Sequence, residues 1–338
     1  MDQGDQKPSA RLRDLLFGYR VSQAIHVAAT LGIGDLLTNG PLTSEDLASA
    51  TGTHACSLYR LLRALASIGV FQEGADRRFA LTPLGECWRS DAPESVRPLA
   101  IFVGQPEHWH AWDQLLHNVR TGENAFHDAH GVSEWEYRAR SPQAGEIFDR
   151  AQASQSRRAA GSIINAYDFS QFKCVVDVGG GQGALLAAIL AAHPSLRGVL
   201  FDQPHVVARA EQTLRAAGVA GRCQVVGGNF FEAIPAGGDA YVLQYVLHDR
   251  EDEQARAILQ VCRHATGQDG KLLVIEREIG PPNEGAGTKF MDLNMMVSPA
   301  GCERTRQEWT TLFAEAGFQL VGACPVDDGF RIIEGVPA

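Results

Sequence analysis

The sequence predicts an α/β protein in which a Rossmann-like, doubly wound parallel sheet follows an N-terminal helical domain. Three observations support this fold class. In the second half, short apolar runs alternate with helical patterns, which is typical of parallel strands joined by helices. One of these runs, residues 174–178, leads straight into a glycine-rich turn and a helix. The first half instead keeps the apolar spacing of helices almost throughout.

The N-terminal half predicts three helices and a hairpin. Apolar residues keep helical spacing over 11–31, and Thr43 with the acids after it marks a second helix start. A third helix is expected at 55–68. The run 70–82 has a polar tip at its centre, which is a hairpin signature. Three helices followed by a hairpin predict a winged helix.

Three parts are therefore expected along the chain. They are a winged-helix domain at 11–100, a helical connector at 101–165 that contributes substrate-pocket helices, and the sheet domain at 166–338. Within the sheet domain, strands are expected at 174–178, 198–202, 223–226, 240–246 and 271–275, with one helix at about 206–217.

The charge of the chain argues against nucleic acid as its main partner. The formal net charge is −10, whereas phosphate binding needs a basic face. Nine basic and nine acidic residues balance within 11–100, so the predicted winged helix lacks the basic excess of a DNA reader. With 45% apolar residues over 338 positions, the chain can instead build about two ordinary cores.

The cysteines and the apolar runs suggest a compartment. Seven scattered cysteines include no C-x-x-C pair, so neither a disulfide framework nor a thiolate zinc site is expected. No run resembles a secretory signal or approaches the roughly 20 apolar residues that span a membrane. We therefore expect a reduced, soluble, cytoplasmic protein that makes no membrane contact.

The glycine-rich turn indicates a ligand site at a helix N-terminus. Gly179-x-Gly181-x-x-Ala184 also fits a dinucleotide pattern. However, Asp177 stands two residues before the first glycine, where its charge would oppose a pyrophosphate. An acid there suits a cationic ligand better, and S-adenosylmethionine carries an ammonium and a sulfonium. Asp202 ends the next expected strand, where it can accept from both ribose hydroxyls. The alternative for each acid is that it only braces its loop.

One strand pattern ends on a histidine. The apolar run that begins at Ala240 stops at His248-Asp249, and a charged stretch follows. A strand can end this way simply where it meets water. The alternative is a base presented at the carboxyl end of a parallel strand, where α/β sheets bind their ligands.

Six motifs occur in order along the second half: "VVDVGGGQG", "LFDQPHVV", "GGNFFEAIP", "LQYVLHD", "KLLVIE" and "GCERT". Together they resemble the small-molecule O-methyltransferases of the plant caffeate and flavonoid type and their bacterial natural-product relatives. The resemblance also covers the winged-helix half and "GEIFDRAQASQS". It implies methyl transfer from S-adenosylmethionine to a hydroxyl of a small aromatic or polyketide-type acceptor. It also implies a homodimer formed through the N-terminal domain.

The resemblance assigns a role to the strand-end histidine. It implies that His248 is the general base, while Glu276 and Glu303 orient it and stabilise its charged form. A phenol, with a pKa of about 10, must lose its proton as the methyl group transfers. A histidine, with a pKa of about 6.5, can accept that proton from within hydrogen-bond reach.

The resemblance also marks residues for the two ligands. Next to Asp177 and the loop glycine Gly181, the positions expected to contact the cofactor are Ser156, Gly179, Asp202, Asn229, Phe230 and Gln244. The positions expected to face the acceptor are Arg138, Phe148, Gln152, Asn294 and Met295.

Several of these positions depart from the family pattern. Asn229 replaces a common aspartate, Gln244 a common lysine, and Arg250 a frequent tryptophan. An amide can still accept a hydrogen bond, but without the charge. In the acceptor pocket, Gln152 and Asn294 stand where apolar residues are common. They indicate either an acceptor with polar substituents or polar groups that satisfy each other.

Two other functions stay open at this point. One is an enzyme that keeps the cofactor but runs hydroxylation or pericyclic chemistry, and the other is a winged-helix regulator that senses a metabolite. The histidine pairs near 108–110 and 127–130 lack thiolate partners and the zinc-helix spacing, so no metal site is expected.

Overall fold

The computed structural model describes residues 7–338 of the chain, without the side chain of Asp328. The chain forms two compact units, one within residues 1–109 and one over residues 110–338. A separate connector at 101–165 remains a prediction. None of the helices described in either unit is long and apolar enough to cross a membrane.

The first unit combines short helices with a small antiparallel sheet of order β1–β3–β2. Its helices are α1 (Pro8–Leu16), α2 (Gly18–Thr30), α3 (Ile33–Leu36), α4 (Ser44–Thr51), α5 (Ala55–Ser67), α6 (Pro83–Glu86) and α7 (Arg97–Val103). Its strands are β1 (Leu42–Thr43), β2 (Phe71–Glu73) and β3 (Arg78–Leu81).

The structure confirms the hairpin and two of the three predicted helices in this unit. β2 and β3 pair antiparallel, and α5 matches the helix expected at 55–68. Thr43 begins α4 through a capping box with Asp46. The single helix over 11–31 is wrong, because Phe17 leaves helical geometry ahead of Gly18 and separates α1 from α2. No α1 side chain is buried within this chain.

The second unit carries a mixed sheet with helices on its faces. From the unit boundary onward the helices are α8 (Pro106–Asp113), α9 (Leu115–Thr121), α10 (Ala125–His130), α11 (Glu134–Arg140), α12 (Pro142–Ala166), α13 (Ala184–Ala192), α14 (Pro204–Val207), α15 (Ala210–Ala216), α16 (Asp252–Ala265), α17 (Ala286–Val297) and α18 (Arg306–Glu315). The strands are β4 (Cys174–Val178), β5 (Arg197–Asp202), β6 (Cys223–Gly227), β7 (Ala240–Gln244), β8 (Lys271–Ile279), β9 (Arg304–Thr305), β10 (Phe318–Pro325) and β11 (Phe330–Pro337).

The order of this sheet is β10–β11–β8–β7–β4–β5–β6, and β9 pairs with the end of β8. The strands from β6 to β8 run parallel, whereas β11 and β10 are antiparallel. Two apolar cores cover the two faces of the sheet. The predicted α/β fold class is thus confirmed. β4 lies between β5 and β7, where the strand order reverses and such sheets bind ligands.

Two predicted elements of this unit are wrong in their bounds. The strand expected at 240–246 ends at Gln244, because Tyr245 adopts a left-handed φ of 59° and turns the chain out of the sheet. The helix expected at 206–217 is two helices, α14 and α15, separated at Ala208–Arg209. The early end of β7 places His248 in a turn beyond the strand.

Candidate active site

A cavity of about 420 Å³ lies at the carboxyl ends of β4, β5 and β7. Nine residues predicted for the two ligands line it: Arg138, Phe148, Gln152, Ser156, Gly179, Gly181, Asp202, Phe230 and Gln244. Seven other predicted residues are not part of its wall: Asp177, Asn229, His248, Glu276, Asn294, Met295 and Glu303. The three predicted catalytic residues therefore lie behind the wall, close to Tyr245, Asp249 and Arg250, which do line it.

The glycine loop after β4 borders this cavity, and its backbone conformation and close packing require glycine. Gly179 and Gly181 have φ of 71° and 59°, in the left-handed region that favours glycine. A Cβ on Gly179 would lie 2.8 Å from Val246, so a side chain there would collide with the neighbouring turn. The Gly181 amide donates to the Asp202 carboxylate at 2.8 Å, which ties the loop to the end of β5.

The two acids near the loop occupy different places. Asp202 borders the cavity, and burial raises the pKa of its carboxyl against the opposing hydrogen bonds of the Gln203 and Gly181 amides. Asp177 lies beneath the loop, where a Cβ on Gly180 would approach its carboxyl carbon to 2.5 Å. Burial and the charge of Asp202 raise the pKa of Asp177 to about 7. Asp177 thus supports the loop from below, whereas Asp202 reaches the ligand space.

A break in the strand pairing on one edge of β8 leaves space for the turn that carries His248. On this edge, β8 pairs with β7 as far as Ile275 and with β9 from Glu278 onward. Glu276 therefore lies between the two paired segments and has no strand partner on this edge. Its carboxylate accepts from the backbone amides of Val246 at 2.9 Å and Leu247 at 2.8 Å. The Glu276 side chain therefore replaces the missing strand and fixes the turn that carries His248.

The His248 imidazole is held by carboxylates at both ring nitrogens. Its Nδ1 lies 2.5 Å from Oε2 of Glu276, and its Nε2 lies 3.2 Å from Oδ1 of Asp249. Burial lowers the pKa of the imidazole, but the charges of Glu276 and Asp249 outweigh burial, so the pKa lies well above its ordinary value. Burial likewise acts to raise the pKa of Asp249, but His248 brings that pKa below its usual range.

Glu303 is the third acid beside the imidazole. Ligand atoms of His248, Glu276 and Glu303 all lie within 4.8 Å of one another. Neither Glu303 oxygen has a hydrogen-bond partner among the described residues, and burial raises the pKa of this carboxyl to about 7. Gly301 permits the close approach, since a Cβ there would lie 1.9 Å from the His248 carbonyl oxygen.

Arg304 fixes the same turn from the other side and was not singled out from the sequence. Its fully buried guanidinium donates to the carbonyl oxygens of Leu247 at 2.9 Å and Arg250 at 2.8 Å. It also forms an ion pair with Asp252 at 2.8 Å. Glu276 thus holds the amides of the turn and Arg304 its carbonyls. The only available signal was the place of this arginine in the motif "GCERT".

The residues predicted to face the acceptor separate into two groups. Arg138 lies 3.5 Å above the Phe148 ring and pairs with the buried carboxylate of Glu134, so a charged and aromatic wall borders the cavity. Gln152 borders it too and accepts from Gln155 at 2.8 Å. By contrast, Asn294 accepts from the Trp112 indole at 3.2 Å, away from the cavity wall.

The cavity fits a nucleoside with a positively charged side chain. Asp202 offers a part-buried acceptor beside the loop glycines, and the side-chain nitrogen of Gln244 is buried with no hydrogen-bond partner of normal geometry in residues 7–338. The two acids next to the loop, Asp177 and Asp202, would oppose a pyrophosphate. The donor set around His248 contains the residue types of a metal site, but Glu276 is already engaged by the backbone. The absence of a metal requirement stays a prediction.

Two family models match the chain. An O-methyltransferase domain matches residues 112–319, and an O-methyltransferase dimerisation domain matches residues 13–91.

Individual relatives match over nearly the full length. The phenazine O-methyltransferase PhzM of Lysobacter antibioticus is 45% identical over 329 residues, which cover 97% of this chain and 96% of the relative. The crystal structure of the mitomycin 7-O-methyltransferase MmcR has a TM-score of 0.89 at 41% identity and covers 98% of each chain. The O-methyltransferase NcsB1, solved with S-adenosylmethionine and 2-hydroxy-5-methyl naphthoic acid, has a TM-score of 0.79 at 36% identity and covers 94% of this chain and 96% of its own.

Proposed function

The chain belongs to the O-methyltransferase family and is an S-adenosylmethionine-dependent enzyme, and on this premise we propose that His248 takes the proton from the acceptor hydroxyl. The acceptor is a small aromatic or polyketide-type natural product. The observation that carries the proposal is the part-buried imidazole in the turn after β7, held between Glu276 and Asp249 and next to Glu303.

Glu276 and Glu303 have different roles beside the His248 imidazole. Glu276 accepts the Nδ1 proton, which leaves Nε2 as the nitrogen that exchanges a proton with the acceptor. Since the Glu276 carboxylate also holds two turn amides, it orients the ring as well as stabilising its charge. Glu303, with a pKa of about 7, adds or removes a third negative charge beside the imidazole near neutral pH.

The loop side of the cavity holds the cofactor, which supplies an electrophilic methyl group on its sulfonium. The residues that would hold it are Ser156, Gly179, Gly181, Asp202, Phe230 and Gln244, all of which line the cavity. Asp202 would accept from the ribose hydroxyls. Asp177, beneath the loop, would stabilise the positive end of the ligand through the backbone and the local field. Asn229 would contribute from outside the wall.

The acceptor side of the cavity favours a flat, polar-substituted ring. Phe148 and the Arg138 guanidinium give stacking surfaces, and Gln152 gives a hydrogen-bonding edge. Asn294 and Met295 would act behind this wall. The relatives support the same class, since their names refer to phenazine, mitomycin and a hydroxynaphthoic acid.

The direct test is methyl transfer to a defined panel. Purified enzyme, with S-adenosylmethionine labelled in its methyl group, is offered 1-hydroxyphenazine, a hydroxynaphthoic acid and the matching methyl ethers. We expect label in a methyl ether of a hydroxylated compound and none from the blocked ethers, with chelator present or absent. A hydroxylated or rearranged product without label would favour the alternative chemistry and contradict the proposal.

A homodimer through the dimerisation domain completes the proposal. The α1 face is strongly exposed in the single chain, with Leu12 60%, Leu15 71% and Leu16 66% accessible. Such a patch usually marks an interface. We expect a two-fold dimer, so light scattering should give twice the 36.5 kDa chain mass.

A matched pair of variants tests where the dimer forms. Leu15→Glu combined with Leu16→Glu should shift the species towards monomer, because two charges would enter the apolar contact. Leu84→Glu, at a 54% exposed leucine on α6, should leave the mass unchanged. A wild-type monomer at micromolar concentration would exclude the dimer.

A further inference from the structure

Asp249 is bound to Nε2 of His248, the ring nitrogen that must accept the proton in the proposed reaction. A general base must have one ring nitrogen within reach of the acceptor hydroxyl. Glu276 already holds Nδ1, and Oδ1 of Asp249 lies 3.2 Å from Nε2. Asp249 borders the cavity, whereas His248 does not. An acceptor that enters the cavity therefore meets the Asp249 carboxylate before it meets the imidazole.

Hydrogen bonds and close packing fix the backbone of the turn, so a backbone movement is an unfavourable way to displace Asp249. Glu276 binds the amides of Val246 and Leu247, and Arg304 binds the carbonyls of Leu247 and Arg250. Gly301 packs directly against the backbone of this turn, with no room for a methyl group. Nε2 is therefore released most simply by rotation of the Asp249 side chain alone.

Arg250 places a cation near Asp249. The Arg250 guanidinium lies 4.4 Å above the Trp135 ring and also borders the cavity. Its Nε is buried and donates to no acceptor within the described part of the chain. The other nearby guanidinium, that of Arg138, is paired with Glu134. Burial lowers the pKa of Arg250 while the Asp249 charge raises it, so the two groups already interact.

We propose that Asp249 is a positioning residue with two states, bound to Nε2 of His248 without acceptor and bound to Arg250 when the acceptor hydroxyl takes its place on Nε2. The proposal rests on the proposed function, because it assumes that the acceptor hydroxyl approaches this nitrogen. The first state keeps a proton on both nitrogens of the imidazole, and the second leaves Nε2 free to accept one.

The protons balance between the two states. Without acceptor, the imidazolium donates from Nδ1 to Glu276 and from Nε2 to Asp249. When Asp249 pairs with Arg250, the Nε2 proton passes to solvent and the acceptor hydroxyl donates to Nε2. During transfer, the oxygen–methyl bond forms, the sulfur–methyl bond breaks, and the hydroxyl proton moves to Nε2. Glu303 and the Tyr245 ring, whose centroid lies 6.1 Å from that of His248, face the imidazole in both states.

The first state is tested without any acceptor. Protein labelled with ¹⁵N in its histidines is titrated by NMR as wild type and as Asp249→Asn, and the His248 signals are assigned from their loss in His248→Gln. We expect the imidazole of the wild type to remain doubly protonated to a higher pH than that of Asp249→Asn, by about one pH unit or more. Identical titrations would overturn the proposal.

The second state is tested by a double-variant cycle with 1-hydroxyphenazine as the probe acceptor. Arg250→Met should lower kcat/KM by about tenfold or more, because the displaced carboxylate loses its cation. The same substitution should cost little in the Asp249→Asn background, where no carboxylate is displaced. Equal losses in both backgrounds would contradict the pairing. If no acceptor of the panel is methylated, the proposed function fails, and the NMR comparison then decides the role of Asp249.

Discussion

The histidine turn and the glycine loop lie at the ends of neighbouring parallel strands, but different contacts fix the polar groups that we assign to the reaction and to the cofactor. In the turn, the Glu276 carboxylate meets two backbone amides and an imidazole, so the chain itself satisfies it. At the cavity wall, the side-chain nitrogen of Gln244 has no partner of normal geometry among the described residues, and the same holds for the oxygens of Asp177 beneath the loop and of Glu303 beside the turn. The chain itself thus fixes the Glu276–His248 pair, which suits the proton transfer that we propose, whereas Gln244 is left to meet the proposed cofactor.

The largest effect is expected at the turn. His248→Ala should lower kcat by about 10²–10⁴-fold, the usual contribution of general acid–base catalysis. His264→Ala, on the exposed side of α16, serves as the matched control and should retain full turnover. Steady-state rates with 1-hydroxyphenazine measure both. Near-normal turnover of His248→Ala would remove the histidine from the chemistry.

A smaller effect, on binding rather than turnover, is expected at the loop. Asp202→Asn keeps the shape but removes the charge that would accept from the ribose, so the Kd for S-adenosylmethionine should rise by about 10–100-fold. Calorimetry is the appropriate measurement, with Asp269→Asn in an exposed loop as the control. If affinity were unchanged, Asp202 would be no more than a loop brace.

The free energy of unfolding should also depend on pH, because the Glu303 carboxyl beside the turn titrates. The pKa of Glu303 is raised from 4.5 to about 7, so its protonated form favours the folded state. This stabilisation is complete below about pH 4.5 and is lost as pH rises through 7, at a cost on the order of 3 kcal/mol. Glu303→Gln keeps a neutral side chain throughout.

Urea unfolding at pH 5 and pH 8 measures this difference. The wild type should lose more stability than Glu303→Gln over that interval, while the contributions of Asp177 and His248 remain in both proteins. Parallel losses in the two proteins would show that Glu303 does not titrate in this range.

The sequence predicted the parts of the two regions better than their connections. The glycine loop could be predicted from the sequence because its strand, turn and helix are consecutive in the chain. The end of β7 was predicted too late, since nothing near Gln244 reveals that Glu276, about 30 residues onward, replaces the strand partner. Neither Asp249 on Nε2 nor the clamp by Arg304 was foreseen, because both depend on contacts that only the folded sheet creates.

The division of labour between turn and loop is tested most directly by the double variant His248→Ala/Asp202→Asn. Cofactor Kd by calorimetry and the methyl-transfer rate at saturating cofactor are measured for the two single variants and the double. The expected result is that the double variant has the Kd of Asp202→Asn and the rate of His248→Ala, within a factor of about two. A His248→Ala enzyme that binds S-adenosylmethionine tenfold more weakly, or an Asp202→Asn enzyme whose saturated rate falls as far as that of His248→Ala, would contradict it.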